Sequence, residues 1–150
     1  MKRATCYAVA MASLFLAAGP SGPAQSQPAA STAARPSLSY EFFKDKVQPV
    51  FLKKREGHAR CFACHSVNNA PFHLVSLSPG ATTWNEQQSR QNFELVQRVV
   101  QPGYIDSPLI KHPLAEEAGG DAHHGGAQQF TSKDDPDWQT LKAFVMGEGK

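Results

Sequence analysis

The sequence predicts an all-α domain with three or more helices and long loops. Three segments place their apolar side chains at the 3.6-residue spacing of an amphipathic helix. No segment alternates convincingly between apolar and polar residues, as a half-buried strand would. Residues 119–126 (GGDAHHGG) have the composition of a loop.

The first predicted helix covers residues 39–54. Phe43, Val47, Val50 and Phe51 recur on one side of it. Pro49 falls inside this pattern. Because proline has no backbone N–H and clashes with the preceding turn, we expect it to kink or divide the helix.

The second predicted helix covers residues 85–100, with Asn85 or Thr83 as its cap and Pro102-Gly103 as its stop. Its apolar face is formed by Phe93, Val96, Val99 and Val100.

The third predicted helix starts at Asp135-Pro136, since Asp is a preferred N-cap residue and Pro suits the first turn. Its apolar stripe consists of Trp138, Leu141, Phe144 and Val145, and glycines at 147 and 149 end it.

The N-terminus has the pattern of a secretory signal peptide, which we assign to residues 1–24. Lys2 and Arg3 precede an apolar stretch at residues 4–18, and Gly22-Pro23-Ala24 is a small-residue cleavage site. The apolar run is shorter than the roughly 18–20 residues of a membrane span. We therefore expect a periplasmic or otherwise extracytoplasmic protein without a transmembrane span in the mature chain. Residues 25–37 read as a flexible leader, and residues 38–150 as the domain.

Signal removal also changes the charge. The whole chain has 15 Lys and Arg against 13 Asp and Glu. Losing Lys2 and Arg3 leaves equal numbers, so the formal charge falls from +2 to zero. The basic balance is thus partly a targeting feature, and it gives no reason to expect a nucleic-acid partner.

The most specific motif is Cys61-Phe62-Ala63-Cys64-His65. The pattern C-x-x-C-H is the attachment site of a c-type haem. Two thiols three residues apart in a helical turn can reach both vinyl groups on one edge of a porphyrin, and His65 then provides the proximal iron ligand. We expect one covalently attached haem c held by Cys61, Cys64 and His65.

Three other uses of a Cys-x-x-Cys pair are less well supported. A thioredoxin-like pair needs a βαβ context, which the sequence lacks. A zinc site needs a second ligand pair, and Cys6 leaves with the signal. A disulfide between residues three apart is strained.

The flanking patterns resemble class I c-type cytochromes, and more closely the small cytochrome c-like haem domains of planctomycetes and acidobacteria. Those carry F-x-x-x-V-x-P-x-[LF] before the haem motif, here residues 43–51, and P-G-x-x-x-S-x-L after it, here residues 102–109. They close with an acidic helix start and an aromatic helix, here residues 134–145. The resemblance implies a cytochrome c-like monohaem domain that carries electrons alone or within a larger assembly.

The sixth iron ligand departs from this family. Many such domains use a Met-Pro pair, whereas Met146, the only methionine outside the signal, lies at the end of the closing helix. A core role suits it better. A histidine is therefore expected on the distal side.

In the resembling domains the distal ligand precedes the closing helix, which favours His124 as the second metal ligand. Its neighbours Gly125-Gly126 let the backbone approach the haem. His112 is the alternative distal ligand, and His123 remains a third possibility. His58 lies too close to the motif to reach the opposite face, and His73 follows the motif where a proximal-side loop is expected, so a surface or proximal-loop role suits it better.

These residues predict a monohaem electron carrier, not an enzyme, and we identify no catalytic residue. Two imidazole ligands favour a low midpoint potential, and the partner would be a redox protein. The alternative is a five-coordinate haem that binds a small ligand or acts on peroxide. Around Lys53-Lys54-Arg55 and Arg60, a solvated basic face is expected, with propionate pairing or partner docking as the alternatives.

Overall fold

Short helices joined by long loops make up the computed structural model, which describes residues 34–67, 72–122 and 128–149. The helices are α1 (Tyr40–Phe42), a π-helical segment (Phe43–Val47), α2 (Gln48–Leu52), α3 (Cys61–His65), α4 (Glu86–Gln97), α5 (Pro108–Lys111), a 3₁₀ turn (Glu116–Ala118) and α6 (Pro136–Met146). Within these ranges no strand forms, and an isolated parallel bridge joins Leu114 to Phe130. The all-α prediction is confirmed for this part of the chain.

The first predicted helix is present as one continuous run from Tyr40 to Leu52, whose middle part is π-helical. Ser39 caps α1 by accepting the Phe42 backbone N–H at 3.2 Å. In the π-helical segment the Gln48 N–H donates to the Phe43 carbonyl, five residues back. Pro49 then occupies the first turn of α2, where its missing N–H is tolerated. The helix is therefore not divided at Pro49, and its irregular, π-helical part lies just ahead of that residue.

The second predicted helix, α4, begins with a capping box. The Asn85 side chain accepts the Gln88 N–H at 2.9 Å, and the Gln88 side chain accepts the Asn85 N–H at 3.1 Å. The helix ends at Gln97, three residues before the predicted end. Its buried face includes Ser89 and Asn92 beside Val96, so it is more polar than the pattern indicated.

The closing helix, α6, starts and ends as predicted. Asp135 accepts the N–H groups of Asp137 at 2.8 Å and Trp138 at 3.3 Å. Gly147 ends the helix with a φ of +70°, and a Cβ there would lie 2.5 Å from Pro36. The stripe of Trp138, Leu141, Phe144 and Val145 is buried as expected.

Phe43 joins the main elements at the centre of the core. Its ring is fully buried, with centroids 5.4 Å from Phe93 of α4, 5.7 Å from Phe144 of α6 and 6.3 Å from Phe51 of α2. One side chain thus packs the first helical region against both longer helices.

None of the helices among the described residues is both long enough and apolar enough to cross a membrane.

Replacing Phe43 with alanine should lower the free energy of unfolding by about 3–5 kcal/mol, because a fully buried ring is lost and a cavity remains. Urea unfolding followed by circular dichroism measures this. Tyr104→Ala is the matched control, since Tyr104 is 50% exposed. Its effect should stay within about 0.5 kcal/mol. Equal losses in the two variants would contradict the central role of Phe43.

Candidate functional site

The C-x-x-C-H motif forms a helical turn of its own. Arg60 is extended, and α3 then runs from Cys61 to His65. Residues three apart in a helix lie on one face, so the turn brings Cys61 and Cys64 to the same side. Both thiols are free, and Cys64 is exposed whereas Cys61 is partly buried.

The His65 ring is oriented by the loop that follows α3. Its Nδ1 lies 2.8 Å from the Phe72 carbonyl oxygen, and the two rings pack with centroids 4.7 Å apart. A carbonyl can only accept, so Nδ1 carries the proton and Nε2 carries the lone pair. Metal-ligating histidines are oriented in this way, with one ring nitrogen donating to an acceptor and the other facing the metal.

Aromatic packing fixes the other side of the turn. Phe62 meets Trp84 edge to face, with centroids 5.6 Å apart, and the Trp84 indole N–H donates to the Val75 carbonyl at 2.7 Å. Trp84 directly precedes the cap of α4. The motif is therefore held against the start of α4 as well as against the 72–75 loop.

The two thiols differ in their surroundings. Burial is the main influence on Cys61 and raises the pKa of its thiol to about 11. Among the weaker influences, the positive charge of Arg55 lowers that pKa and the negative charge of Asp137 raises it.

The basic stretch before the motif is solvated at Lys53, Lys54 and Arg60, as the sequence predicted, but not at Arg55. The Arg55 side chain is only 15% exposed and donates to Asp135 through Nη1 at 2.9 Å and Nη2 at 3.3 Å. The same Nη2 contacts Asp137, and the guanidinium lies 4.5 Å from the centre of the Phe130 ring. Lys53 also pairs with Asp137, at 2.7 Å. The expectation of a solvated side chain fails for Arg55 because its carboxylate partners lie at the start of α6, 80 and 82 residues away in sequence.

Asp135 both caps the N-terminus of α6 and forms an ion pair with Arg55. Burial alone would raise the pKa of Asp135, but hydrogen bonds from Arg55 and from the Asp137 and Trp138 backbone outweigh it and lower the pKa. The carboxylate therefore stays ionised at neutral pH.

Of the candidate distal ligands, the structure describes His112 alone. His123 and His124 lie outside the described residues. His112 follows α5, is half exposed, and its Nδ1 contacts the Asp121 carboxylate. Met146 is the last residue of α6 and is partly buried.

The two histidines near the motif differ from one another. His73 Nδ1 lies 3.3 Å from the Val67 carbonyl oxygen. His58 Nδ1 is buried and has no hydrogen-bond partner among the described residues. Such an orphaned nitrogen suits a polar group that is not part of the chain, such as a haem propionate.

The described residues fit a haem c. The donor set consists of two free thiols on one helical face and an imidazole whose Nδ1 is occupied. Among the same residues no three His, Cys, Asp or Glu side chains group to hold a metal ion by themselves.

The sequence did not predict the roles of two residues at the site. Phe72 contributes a backbone carbonyl, which any residue type supplies, so no pattern signals it. Arg55 lies in a run of basic residues. The one feature of the sequence that could have indicated its ion pairs is the acidic segment at residues 134–137, where α6 begins. Comparisons with known protein families, with curated proteins and with solved structures find no match to this chain.

In the haem-free chain, Cys61 should react with iodoacetamide roughly a hundredfold more slowly at pH 8 than an ordinary thiol, because its pKa of about 11 leaves little thiolate. The rate should rise with pH up to about 11. Peptide mapping by mass spectrometry separates Cys61 from the exposed Cys64, which serves as the internal control. Concentrated urea should remove the difference, and equal rates in the folded chain would contradict it.

Proposed function

We propose that this chain is an exported monohaem c-type cytochrome that carries single electrons. The observation that carries the proposal is the 2.8 Å contact between His65 Nδ1 and the Phe72 carbonyl, within a Cys-x-x-Cys-His turn. A structural histidine needs no particular nitrogen occupied. A metal-ligating one needs Nε2 as an acceptor, and a carbonyl at Nδ1 provides that tautomer.

Each residue of the turn has a separate task. Cys61 and Cys64 would hold the haem through thioethers, and His65 would ligate its iron through Nε2. When bound, the haem supplies a one-electron ferric/ferrous couple. The Phe72 carbonyl keeps the imidazole in one tautomer and orientation, and the edge-to-face contact of Phe62 with Trp84 holds the other side of the turn in place.

For the sixth ligand we retain His124, with His112 as the alternative. One finding supports the alternative: the Asp121 carboxylate accepts the Nδ1–H of His112, the arrangement in which a metal-ligating imidazole presents Nε2 to the metal. With either histidine the iron would have two imidazole ligands and a low midpoint potential. The proposed partner is a redox protein outside the cytoplasm, and no catalytic residue is assigned.

Covalent attachment is tested by mass. The exported protein should be heavier than its peptide by one haem under denaturing conditions, because two thioethers survive unfolding. A Cys61→Ala, Cys64→Ala double variant should lose all covalent haem, while Cys6→Ala, whose cysteine lies in the predicted signal, should keep it. Exported protein with stoichiometric zinc and no haem would refute the proposal.

The sixth ligand is tested by spectroscopy. The ferric protein should lack the weak near-infrared band of sulfur–iron coordination, and the ferrous protein should be low-spin and slow to bind carbon monoxide. His124→Ala should open the site, with His123→Ala as the matched control. If His112→Ala alone opens it, His112 is the ligand and electron transfer stands. Rapid carbon monoxide binding by the unmodified protein would replace electron transfer with the small-ligand or peroxide function.

A further inference from the structure

Four charged side chains form one connected group beside the haem-attachment segment. Lys53 and Arg55 lie between α2 and α3, and Asp135 and Asp137 lie at the start of α6. We call them the Arg55 network. Its two cations and two anions balance, so any single neutral substitution leaves a net charge at this position.

Three of the four charges are poorly screened by water. The side chains of Arg55, Asp137 and Asp135 are 15%, 18% and 25% exposed, whereas Lys53 is 57% exposed. Charges held in such surroundings act over longer distances than solvated ones, because the effective dielectric constant there is well below that of water.

Helix capping does not require this arrangement. Asp135 accepts two backbone N–H groups at the start of α6, and an asparagine or serine would cap equally well. Asp137 is not the cap, yet both Arg55 and Lys53 are directed at it. The helix start therefore does not require the ion pair between Asp137 and Arg55.

The charges of this network act on the first attachment residue. Burial has the largest effect on the pKa of the Cys61 thiol. Arg55 lowers that pKa and Asp137 raises it. Cys61 also lies in α3, which packs against α2 just ahead of Lys53.

We propose that the Arg55 network tunes the midpoint potential of the haem attached at Cys61, with Arg55 favouring the ferrous state and Asp137 favouring the ferric state. This inference rests on the proposed function. The oxidised haem carries one more positive charge than the reduced haem, so a nearby cation destabilises it and a nearby anion stabilises it.

Two substitutions of opposite charge effect test the proposal on the full-length, haem-loaded protein. Arg55→Met should lower the midpoint potential and Asp137→Asn should raise it. Each should change the ferric/ferrous equilibrium by about threefold to tenfold. Tenfold corresponds to about 59 mV for a one-electron couple. Redox titration followed by visible absorbance measures both.

Arg55→Lys separates charge from shape. Lysine keeps the positive charge but cannot donate to two carboxylates through a planar fork. The ferric/ferrous equilibrium of this variant should stay within about twofold of that of the unmodified protein. Lys44→Met and Glu86→Gln are the matched controls, because that ion pair is 40% and 48% exposed and should shift the equilibrium by less than about twofold.

Urea unfolding provides a readout that does not depend on redox chemistry. Arg55→Met and Asp137→Asn both break the same contact, so both should lower stability. A purely structural network would move the two potentials in one direction, or not at all, and either result would overturn the inference. If Arg55→Met does not fold, Asp137→Asn still leaves the Arg55–Asp135 pair, and an unshifted or lowered potential in it overturns the inference.

Failure of the inference is distinguishable from failure of the proposed function. An unmodified protein without covalent haem refutes the function, and its mass shows this before any potential is measured. A haem-loaded protein whose variants do not shift in opposite directions refutes the tuning alone.

Discussion

The contact of Phe43 with Phe144 is the constraint on which the rest of the described structure depends. It joins the first helical region to the closing helix with ring centroids 5.7 Å apart, across about two thirds of the chain. The haem motif lies between these two elements in sequence. Packing them together brings α2, which precedes the motif, and the acidic start of α6 within reach of Arg55. The position of α3 then follows from its contact with α2, from Phe62 on Trp84 and from the contacts of His65 with the 72–75 loop.

Magnitudes separate the interactions that hold this fold from those that adjust it. Burying a ring such as Phe43 is worth several kcal/mol, whereas the exposed pair of Lys44 and Glu86 adds little because water screens its attraction. The Arg55 pairs are better shielded, but desolvation offsets much of their attraction. Aromatic packing therefore determines the fold, and the value of the Arg55 network lies in where it places charge.

Sequence reasoning succeeded where the information was local. Helical spacing predicted α4 and α6, and Asp135 predicted its own cap, whereas the first helix is not divided at Pro49 but has a π-helical segment ahead of it. The predictions from the sequence failed where residues that are distant in sequence contact each other. Asn92 is buried in α4 because its side chain accepts the Val75 N–H at 2.7 Å, a contact across 17 residues. At the candidate site, the spacing of the motif predicted that Cys61, Cys64 and His65 would hold a haem. The orientation of the His65 ring comes from the Phe72 backbone carbonyl, which no residue type encodes.

His65 and His112 share one feature and differ in another. Each has its Nδ1 against an oxygen acceptor, so in the proposed function Nε2 would be the nitrogen that ligates iron. The acceptor is a neutral carbonyl for His65 and a carboxylate for His112. A charged acceptor makes an imidazole a stronger donor to iron, and its negative charge also favours the ferric state. With His112 as the sixth ligand, Asp121 would therefore depress the midpoint potential beyond the effect of two imidazoles. In the proposed function, the identity of the distal histidine would thus determine how far the midpoint potential lies below that of a methionine-ligated haem.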